Sequence, residues 1–162
     1  MQQIGNDVSI KIQTGVYGQF RNLNNKPWYA LAEFVDNAVQ SYENNKTKFK
    51  SIYGDSYSLE IRIDINKDED VITIKDNAAG IGLDNYYRAF EPAHIPIDNT
   101  GLHEYGMGMK TAAIWLSNIW SVNTKAIDEN EERFVEFNLQ KVIDEKKEVL
   151  EVIKTPNKTK VH

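Results

Sequence analysis

A carboxylate and a carboxamide lie four residues apart in the segment Glu33–Ala38 (EFVDNA). Apolar residues recur at helical spacing around this segment, so Glu33 and Asn37 share one face of a predicted helix. An amide oxygen can bind a hydrated Mg²⁺ ion, which prefers hard oxygen ligands, and a nearby carboxylate can orient an attacking water. The pair also lies opposite the apolar stripe, where an ordinary amphipathic helix has solvated residues, so this segment alone leaves both interpretations open.

The segment Asp76–Gly82 (DNAAGIG) follows a predicted strand and turns through small residues. Small side chains let a flat ligand approach the backbone, and the carboxylate of Asp76 can accept a hydrogen bond from an exocyclic amine such as that of adenine. Ordinary strand-to-loop turns have the same pattern, so it does not by itself establish a ligand site.

Two glycines precede a predicted helix in the segment Tyr105–Ala112 (YGMGMKTA), with Lys110 and Thr111 in the first helical turn. Exposed amides and the positive end of the helix dipole favour phosphate, and Lys110 could add a positive charge. The segment is not a Walker A loop, because the four-residue spacer before the Gly-Lys pair is missing. A Gly-x-Gly pattern on its own is weak evidence for a phosphate site.

The periodicity of apolar residues predicts the elements that position these segments. A helix is predicted over about Pro27–Asn44, where proline suits the first turn. Two alternating apolar runs, Leu59–Ile65 and Val71–Ile74, are joined by the polar turn Asn66–Asp70 and predict an antiparallel hairpin.

The second half of the chain mixes helical and strand-like patterns. A short helix is predicted over Leu83–Phe90 and a longer one over Met109–Leu116, with a mobile loop over Glu91–Glu104 between them. The strand-like segments that follow are Ile119–Thr124, Phe134–Leu139 and Val149–Ile153. This mixture predicts an α+β fold.

The composition limits the classes of function. The 162 residues are 41% hydrophobic, which suffices for a single domain over residues 1–162 with its own core. There is no cysteine, and the three histidines do not fall at metal-ligand spacings, which argues against disulfides and against a zinc enzyme. A net charge of −5 argues against direct nucleic-acid binding through a basic surface.

The ends of the chain bear on location and completeness. Met1–Ile12 has neither the basic region nor the apolar run of a signal peptide, and no stretch approaches the length of a membrane span. We therefore expect a cytoplasmic protein with no membrane partner. The polar segment Thr155–His162 offers no closing element, and we expect the chain to be an N-terminal fragment of a longer protein.

In their order and spacing, the three segments resemble the sequence boxes of the Bergerat nucleotide fold of the GHKL superfamily. Its members include gyrase B subunits, ninety-kilodalton heat-shock chaperones, sensor histidine kinases, MutL proteins and MORC ATPases. The resemblance covers about Asn25–Thr124 and is closest to the MORC-like and heat-shock-chaperone-like branch around Trp28–Ala38. It implies a two-layer α/β sandwich with a mixed, mainly antiparallel sheet and helices on one face, and it implies binding of ATP with Mg²⁺.

By position, the resemblance implies that Glu33 is the general base, Asn37 the Mg²⁺ ligand and Asp76 the carboxylate that binds adenine. Gly80 would lie under the adenine ring. Residues Leu83–Tyr105 would form an ATP lid that becomes ordered when nucleotide binds. The nucleotide-binding residues implied in addition are Ala78, Gly80, Ile81, Tyr105, Gly106, Met107, Gly108, Met109, Lys110 and Thr111.

The chain departs from the family pattern in two places. Ala78 stands where the family usually has glycine, which narrows the allowed backbone conformations there, and we expect the change to be tolerated. The late Gly-Thr strand, whose threonine helps to bind adenine, is not visible, because Thr155 and Thr159 lack that context. We also expect that these 162 residues do not include the neighbouring transducer domain of the family.

The function that this pattern favours is a Mg-dependent ATPase domain that binds ATP and ADP. Its lid would close on Mg-ATP and drive homodimerisation or partner remodelling in a longer protein. Glu33 supports hydrolysis, since histidine kinases of this superfamily typically have asparagine at that position. The alternatives are an ATP-sensing module with negligible turnover, a histidine-kinase-type phosphotransfer domain, and an α+β domain that binds no nucleotide.

Overall fold

Helices and strands are interspersed along the residues that the computed structural model describes, which are 8–9, 26–90, 108–144 and 149–156. The helices are α1 (Pro27–Asn44), α2 (Lys46–Tyr53), α3 (Tyr86–Phe90), α4 (Gly108–Leu116) and α5 (Leu139–Asp144). The strands are β1 (Val8–Ser9), β2 (Ile61–Asn66), β3 (Val71–Asp76), β4 (Ile119–Lys125), β5 (Glu131–Asn138), β6 (Val149–Leu150) and β7 (Val152–Pro156). A 3₁₀ turn, Leu83–Asn85, precedes α3.

The helices α1 and α2 follow each other with a break at Asn45. Pro27 occupies the first turn of α1, where its missing N–H would be unpaired in any case. At the break, the Asn45 side chain donates to the carbonyl of Ser41 at 2.8 Å, and its own carbonyl accepts from the amide of Phe49 in α2. Gly54 ends α2 with φ of +85°, a conformation that glycine adopts without strain.

The strands β2 and β3 form an antiparallel hairpin in which Ile61 lies opposite Asp76. At its turn, the Asn66 side chain accepts hydrogen bonds from the amides of Asp68 and Glu69 at 3.1 and 3.3 Å, which closes the loop locally. Directly opposed residues share a face, so one face of the hairpin is lined by isoleucines. They are Ile61, Ile63, Ile65, Ile72 and Ile74.

The strand β5 is the centre of a three-stranded antiparallel sheet with the order β4-β5-β7. Alternate residues of β5 are buried, among them Val135 and Phe137, so one face of the sheet supplies the core. Helical side chains from α3, α4 and α5 pack on that face. The buried cluster consists of Tyr86, Phe90, Ile114, Val135, Phe137, Leu139 and Val152.

These elements confirm the predicted α+β class. The helix over Pro27–Asn44 and the hairpin lie where the periodicity placed them, and the helix predicted over Leu83–Phe90 is divided into the 3₁₀ turn and α3. The helices α2 and α5 were not predicted. The loop predicted over Glu91–Glu104 lies outside the described residues. Within the described part of the chain, no helix combines the length and the hydropathy needed to cross a membrane.

Candidate functional site

The helix α4 packs against α1, and its first residue, Gly108, lies at Glu33. A Cβ atom built on Gly108 would lie 2.0 Å from Oε2 and 2.8 Å from Cδ of Glu33. Any side chain at position 108 would therefore displace the carboxylate. The structure thus brings the first and third predicted segments together and places the carboxylate at the N-terminal end of α4.

Asn37 lies one turn after Glu33 on α1 and is exposed. Its Nδ2 donates to the backbone carbonyl of Glu33 at 2.7 Å, which orients the amide and leaves Oδ1 as the side-chain acceptor. An exposed amide oxygen of this kind is the hard donor that Mg²⁺ uses together with waters and phosphate oxygens. The donor chemistry at Asn37 therefore fits the ion that the sequence predicts there.

Asp76 ends β3, and its carboxylate is oriented by its own turn. Oδ1 accepts a hydrogen bond from the amide of Ala78 at 3.0 Å, while Oδ2 accepts none from the described residues. The exposed Oδ2 can therefore receive the exocyclic amine of a base. Ala78 does not have a positive φ, so the alanine that replaces the usual glycine introduces no left-handed strain.

The turn after Asp76 packs on the end of β4. Gly80 has φ of +67°, and a Cβ atom there would lie 2.0 Å from the carbonyl oxygen of Lys125. The amide of Ile81 donates to Oγ1 of Thr124, and the amide of Ile127 donates to the carbonyl of Ala79, both at 2.9 Å. Gly80 therefore has a packing role against β4. Its place under the adenine ring stays a prediction.

Several predicted phosphate-binding residues are only partly described. Tyr105, Gly106 and Met107 lie outside the described residues. Beyond them, Met109 is half-buried, and Lys110 and Thr111 are buried in the first turns of α4, at 7% and 6% exposure. Contact of these side chains with phosphate stays a prediction.

The first residues of the predicted lid rest on the turn between β4 and β5. Oε1 of Glu129 accepts a hydrogen bond from the amide of Leu83 at 3.1 Å, and Oε2 of Glu129 pairs with the buried guanidinium of Arg133. That guanidinium also lies over the Tyr86 ring, 5.8 Å from its centroid. Burial raises the pKa of Tyr86 to about 12, against the opposing effect of the Arg133 charge.

The sequence analysis missed three residues near the site: Thr124, Tyr57 and Asn77. Thr124 lies in β4, where the strand pattern gives no sign of a functional threonine, and its hydroxyl accepts a hydrogen bond from the amide of Ile81. Tyr57 and Asn77 hold the strand end at Asp76 through several hydrogen bonds. The cluster of aromatic residues over positions 42–57 was the signal that could have identified Tyr57.

A comparison with protein families identifies the chain. The profile of the family described as "Histidine kinase-, DNA gyrase B-, and HSP90-like ATPase" matches residues 25–162, which is more than half of the chain. The chain belongs to this family. Its membership confirms the GHKL resemblance and the α+β Bergerat fold, and it indicates ATP binding. No curated protein matches the chain.

The matched region of this GHKL domain contains all three predicted segments. The described structure adds that Glu33 and Gly108 are in contact and that Asp76 ends its strand with an exposed carboxylate.

Proposed function

We propose that this GHKL domain binds Mg-ATP and hydrolyses it, with Glu33 as the general base. The observation that carries the proposal is the contact between the Glu33 carboxylate and Gly108 at the start of α4. Backbone amides at a helix N-terminus favour phosphate oxygens. A carboxylate at the same place is positioned to act on a water next to a bound phosphate.

In this proposal, each named side chain has a separate task. Oδ2 of Asp76 accepts a hydrogen bond from the exocyclic amine of adenine, and the amides at the start of α4 bind phosphate oxygens. Asn37 would hold Mg²⁺ through Oδ1, and the ion, when bound, offsets the negative charge of the phosphates.

Hydrolysis then needs a base for the attacking water. Glu33 accepts a proton from the water as the water oxygen forms a bond to the γ-phosphorus. The bond from that phosphorus to the bridging oxygen breaks, and ADP leaves with the electron pair. The proton passes from the Glu33 carboxylate to solvent when phosphate is released.

The wider role of the domain is part of the same proposal. Lid closure over Leu83–Tyr105, ATP-dependent homodimerisation of a longer protein and the MORC-like branch are predictions from the resemblance. The cytoplasmic location is a prediction from the sequence of Met1–Ile12 and from the lack of a membrane-spanning stretch. The hydrogen bond from the amide of Leu83 to Glu129 anchors the first residue of the proposed lid on the turn between β4 and β5.

Substitution of Glu33 tests hydrolysis. We expect Glu33→Gln to retain ATP binding by calorimetry and to lower phosphate release by about 10²-fold or more, because glutamine cannot accept the proton. Glu43→Gln is the matched control, since Glu43 lies near the C-terminal end of α1 and pairs with Lys46. Unchanged phosphate release in Glu33→Gln would refute the base assignment, and binding without any turnover in the unsubstituted domain would favour the sensor alternative.

A further inference from the structure

An aromatic cluster joins α1 and α2 to the segment that leads into β2. Phe49 is buried at 3% exposure and stacks on Tyr57, with ring centroids 4.8 Å apart and an interplanar angle of 12°. Tyr53 stacks on the same tyrosine at 4.8 Å, and Tyr42 of α1 lies 6.3 Å from it. The Tyr57 ring is therefore held between residues of both helices.

The backbone and the hydroxyl of Tyr57 are also fixed. The hydroxyl of Tyr42 donates to the carbonyl of Tyr57 at 3.2 Å, and the hydroxyl of Tyr57 donates to the carbonyl of Asn77 at 2.6 Å. Burial is the largest cause that raises the pKa of Tyr57 above its ordinary value, so the phenol remains a hydrogen-bond donor further into the alkaline range. Tyr57 therefore transmits the position of the helices to the residue directly after Asp76.

Asn77 uses all of its polar groups in this attachment. Its Oδ1 accepts from the amide of Glu60 at 2.7 Å, and its Nδ2 donates to the carbonyl of Ser58 at 3.0 Å. Its own amide donates to the carbonyl of Glu60 at 3.3 Å. With the bond from Tyr57, both the backbone and the side chain of Asn77 are bound to the segment 57–60.

One peptide group connects Tyr57 to the carboxylate of Asp76. The carbonyl of Asn77 and the amide of Ala78 belong to the same planar unit, so fixing the oxygen also fixes the direction of the N–H. That N–H donates to Oδ1 of Asp76 at 3.0 Å. The orientation of the carboxylate thus depends on a peptide plane whose other end is held by the Tyr57 hydroxyl.

We propose that Tyr57 is a positioning residue for adenine recognition, since its hydroxyl orients the Asp76 carboxylate through the peptide group between Asn77 and Ala78. This inference rests on the proposed function, in which Asp76 binds the exocyclic amine of adenine. In this proposal Tyr57 acts through Asp76 and not by direct contact with the nucleotide, so it affects only the discrimination between bases with and without the exocyclic amine.

The test compares two nucleotides that differ in that amine. Binding of ATP and of purine riboside triphosphate, which lacks the 6-amino group, is measured by calorimetry for the unsubstituted domain and for Tyr57→Phe. We expect Tyr57→Phe to weaken ATP binding about fivefold, the effect of one lost hydrogen bond, and to leave binding of the purine analogue unchanged. Tyr53→Phe is the matched control, because it leaves a phenyl ring in the same cluster. It should preserve the ratio of the affinity for ATP to the affinity for the purine analogue.

A general structural role for Tyr57 predicts a different result, because destabilisation of the domain would weaken the binding of both nucleotides equally. Equal losses, or an unchanged ratio in Tyr57→Phe, would overturn the inference. Tyr42→Phe is a second variant in case Tyr57→Phe folds poorly, and it should lower the ratio to a smaller extent, because it removes only the bond to the carbonyl of Tyr57. An unchanged ratio in both variants would also count against the inference.

Asp76→Asn separates this inference from the proposed function. If the unsubstituted domain prefers ATP over the purine analogue and Asp76→Asn abolishes that preference, adenine binding by Asp76 is supported. A Tyr57→Phe variant that then keeps the preference refutes the positioning role alone. If Asp76→Asn leaves the preference for ATP unchanged, both adenine binding by Asp76 and the positioning role of Tyr57 are refuted.

Discussion

Two glycines of this GHKL domain face different kinds of atom. At Gly108 the nearest atom is Oε2 of Glu33, the end of a flexible side chain. At Gly80 the nearest atoms are the carbonyl oxygen and carbon of Lys125, which belong to the backbone of β4 and cannot move without disturbing the sheet. The lack of a side chain at Gly108 therefore leaves room for the Glu33 carboxylate. The lack of a side chain at Gly80 lets the turn after Asp76 pack against β4.

Gly80→Ala should destabilise the domain by about 3 kcal/mol, because alanine is strained at φ of +67° and its Cβ would overlap the Lys125 carbonyl. Gly82→Ala is the control. Gly82 has an extended backbone with φ of −71°, and the atoms nearest to an added Cβ are 3.6 Å away or more. Urea unfolding would measure both free energies of unfolding, and equal values would contradict the packing role of Gly80.

Between elements, the turn between β4 and β5 holds the start of the proposed lid to the sheet. Glu129 binds the amide of Leu83, and Arg133 lies between Glu129 and the ring of Tyr86 in α3. The hydroxyl of Tyr86 and Nε of Arg133 are buried without a hydrogen-bond partner among the described residues. The connection therefore depends on ring packing and on the ion pair more than on the Tyr86 hydroxyl.

Tyr86 predicts a pH dependence of folding stability. Its folded pKa of about 12 is above the ordinary value of 10.0, so the folded state binds the phenolic proton more tightly than the unfolded state does. The contribution, on the order of 2–3 kcal/mol, is fully present below pH 10 and is lost as the pH rises towards about 12. Between pH 10 and about pH 12, the free energy of unfolding should fall less in Tyr86→Phe than in the unsubstituted domain. Identical pH profiles of the two proteins would contradict the prediction.

For the whole molecule, ligand binding is expected to appear as added stability. A ligand at about 100 times its Kd stabilises the folded state by about 2.7 kcal/mol if it does not bind the unfolded chain. The proposed site would combine residues of α1, α4 and the end of β3, so nucleotide binding should stabilise contacts between these elements as well as each element alone.

Thermal unfolding with ATP tests the metal assignment. We expect Mg-ATP to raise the Tm, and we expect chelation of Mg²⁺ with EDTA to reduce the increase, because the phosphates then lose their link to Asn37. In Asn37→Ala, the increase should be small with or without EDTA. Asn44→Ala, at the exposed end of the same helix, should behave as the unsubstituted domain does. A full EDTA-sensitive increase in Asn37→Ala would exclude Asn37 as the ligand.

The periodicity of the sequence by itself determined the main elements, and the residue types predicted the chemistry of the proposed site. The helix over Pro27–Asn44, the isoleucine hairpin and the helix before Leu116 follow from local patterns of apolar residues, as does the placement of Glu33 and Asn37 on one helical face. Such patterns depend on neighbours in sequence, and a single chain contains that information. The helix α2 was missed because its eight residues are rich in lysine and contribute one buried side chain, Phe49.

Only the tertiary structure decided which distant residues meet. The contact of Glu33 with Gly108, the packing of Gly80 on Lys125 and the bond from Tyr57 to Asn77 each join residues from separate elements. No local pattern encodes these contacts, since they depend on how helices and sheets pack against one another. The sequence therefore predicts which side chains bind nucleotide, and packing determined how Asp76 and Glu33 are held in place.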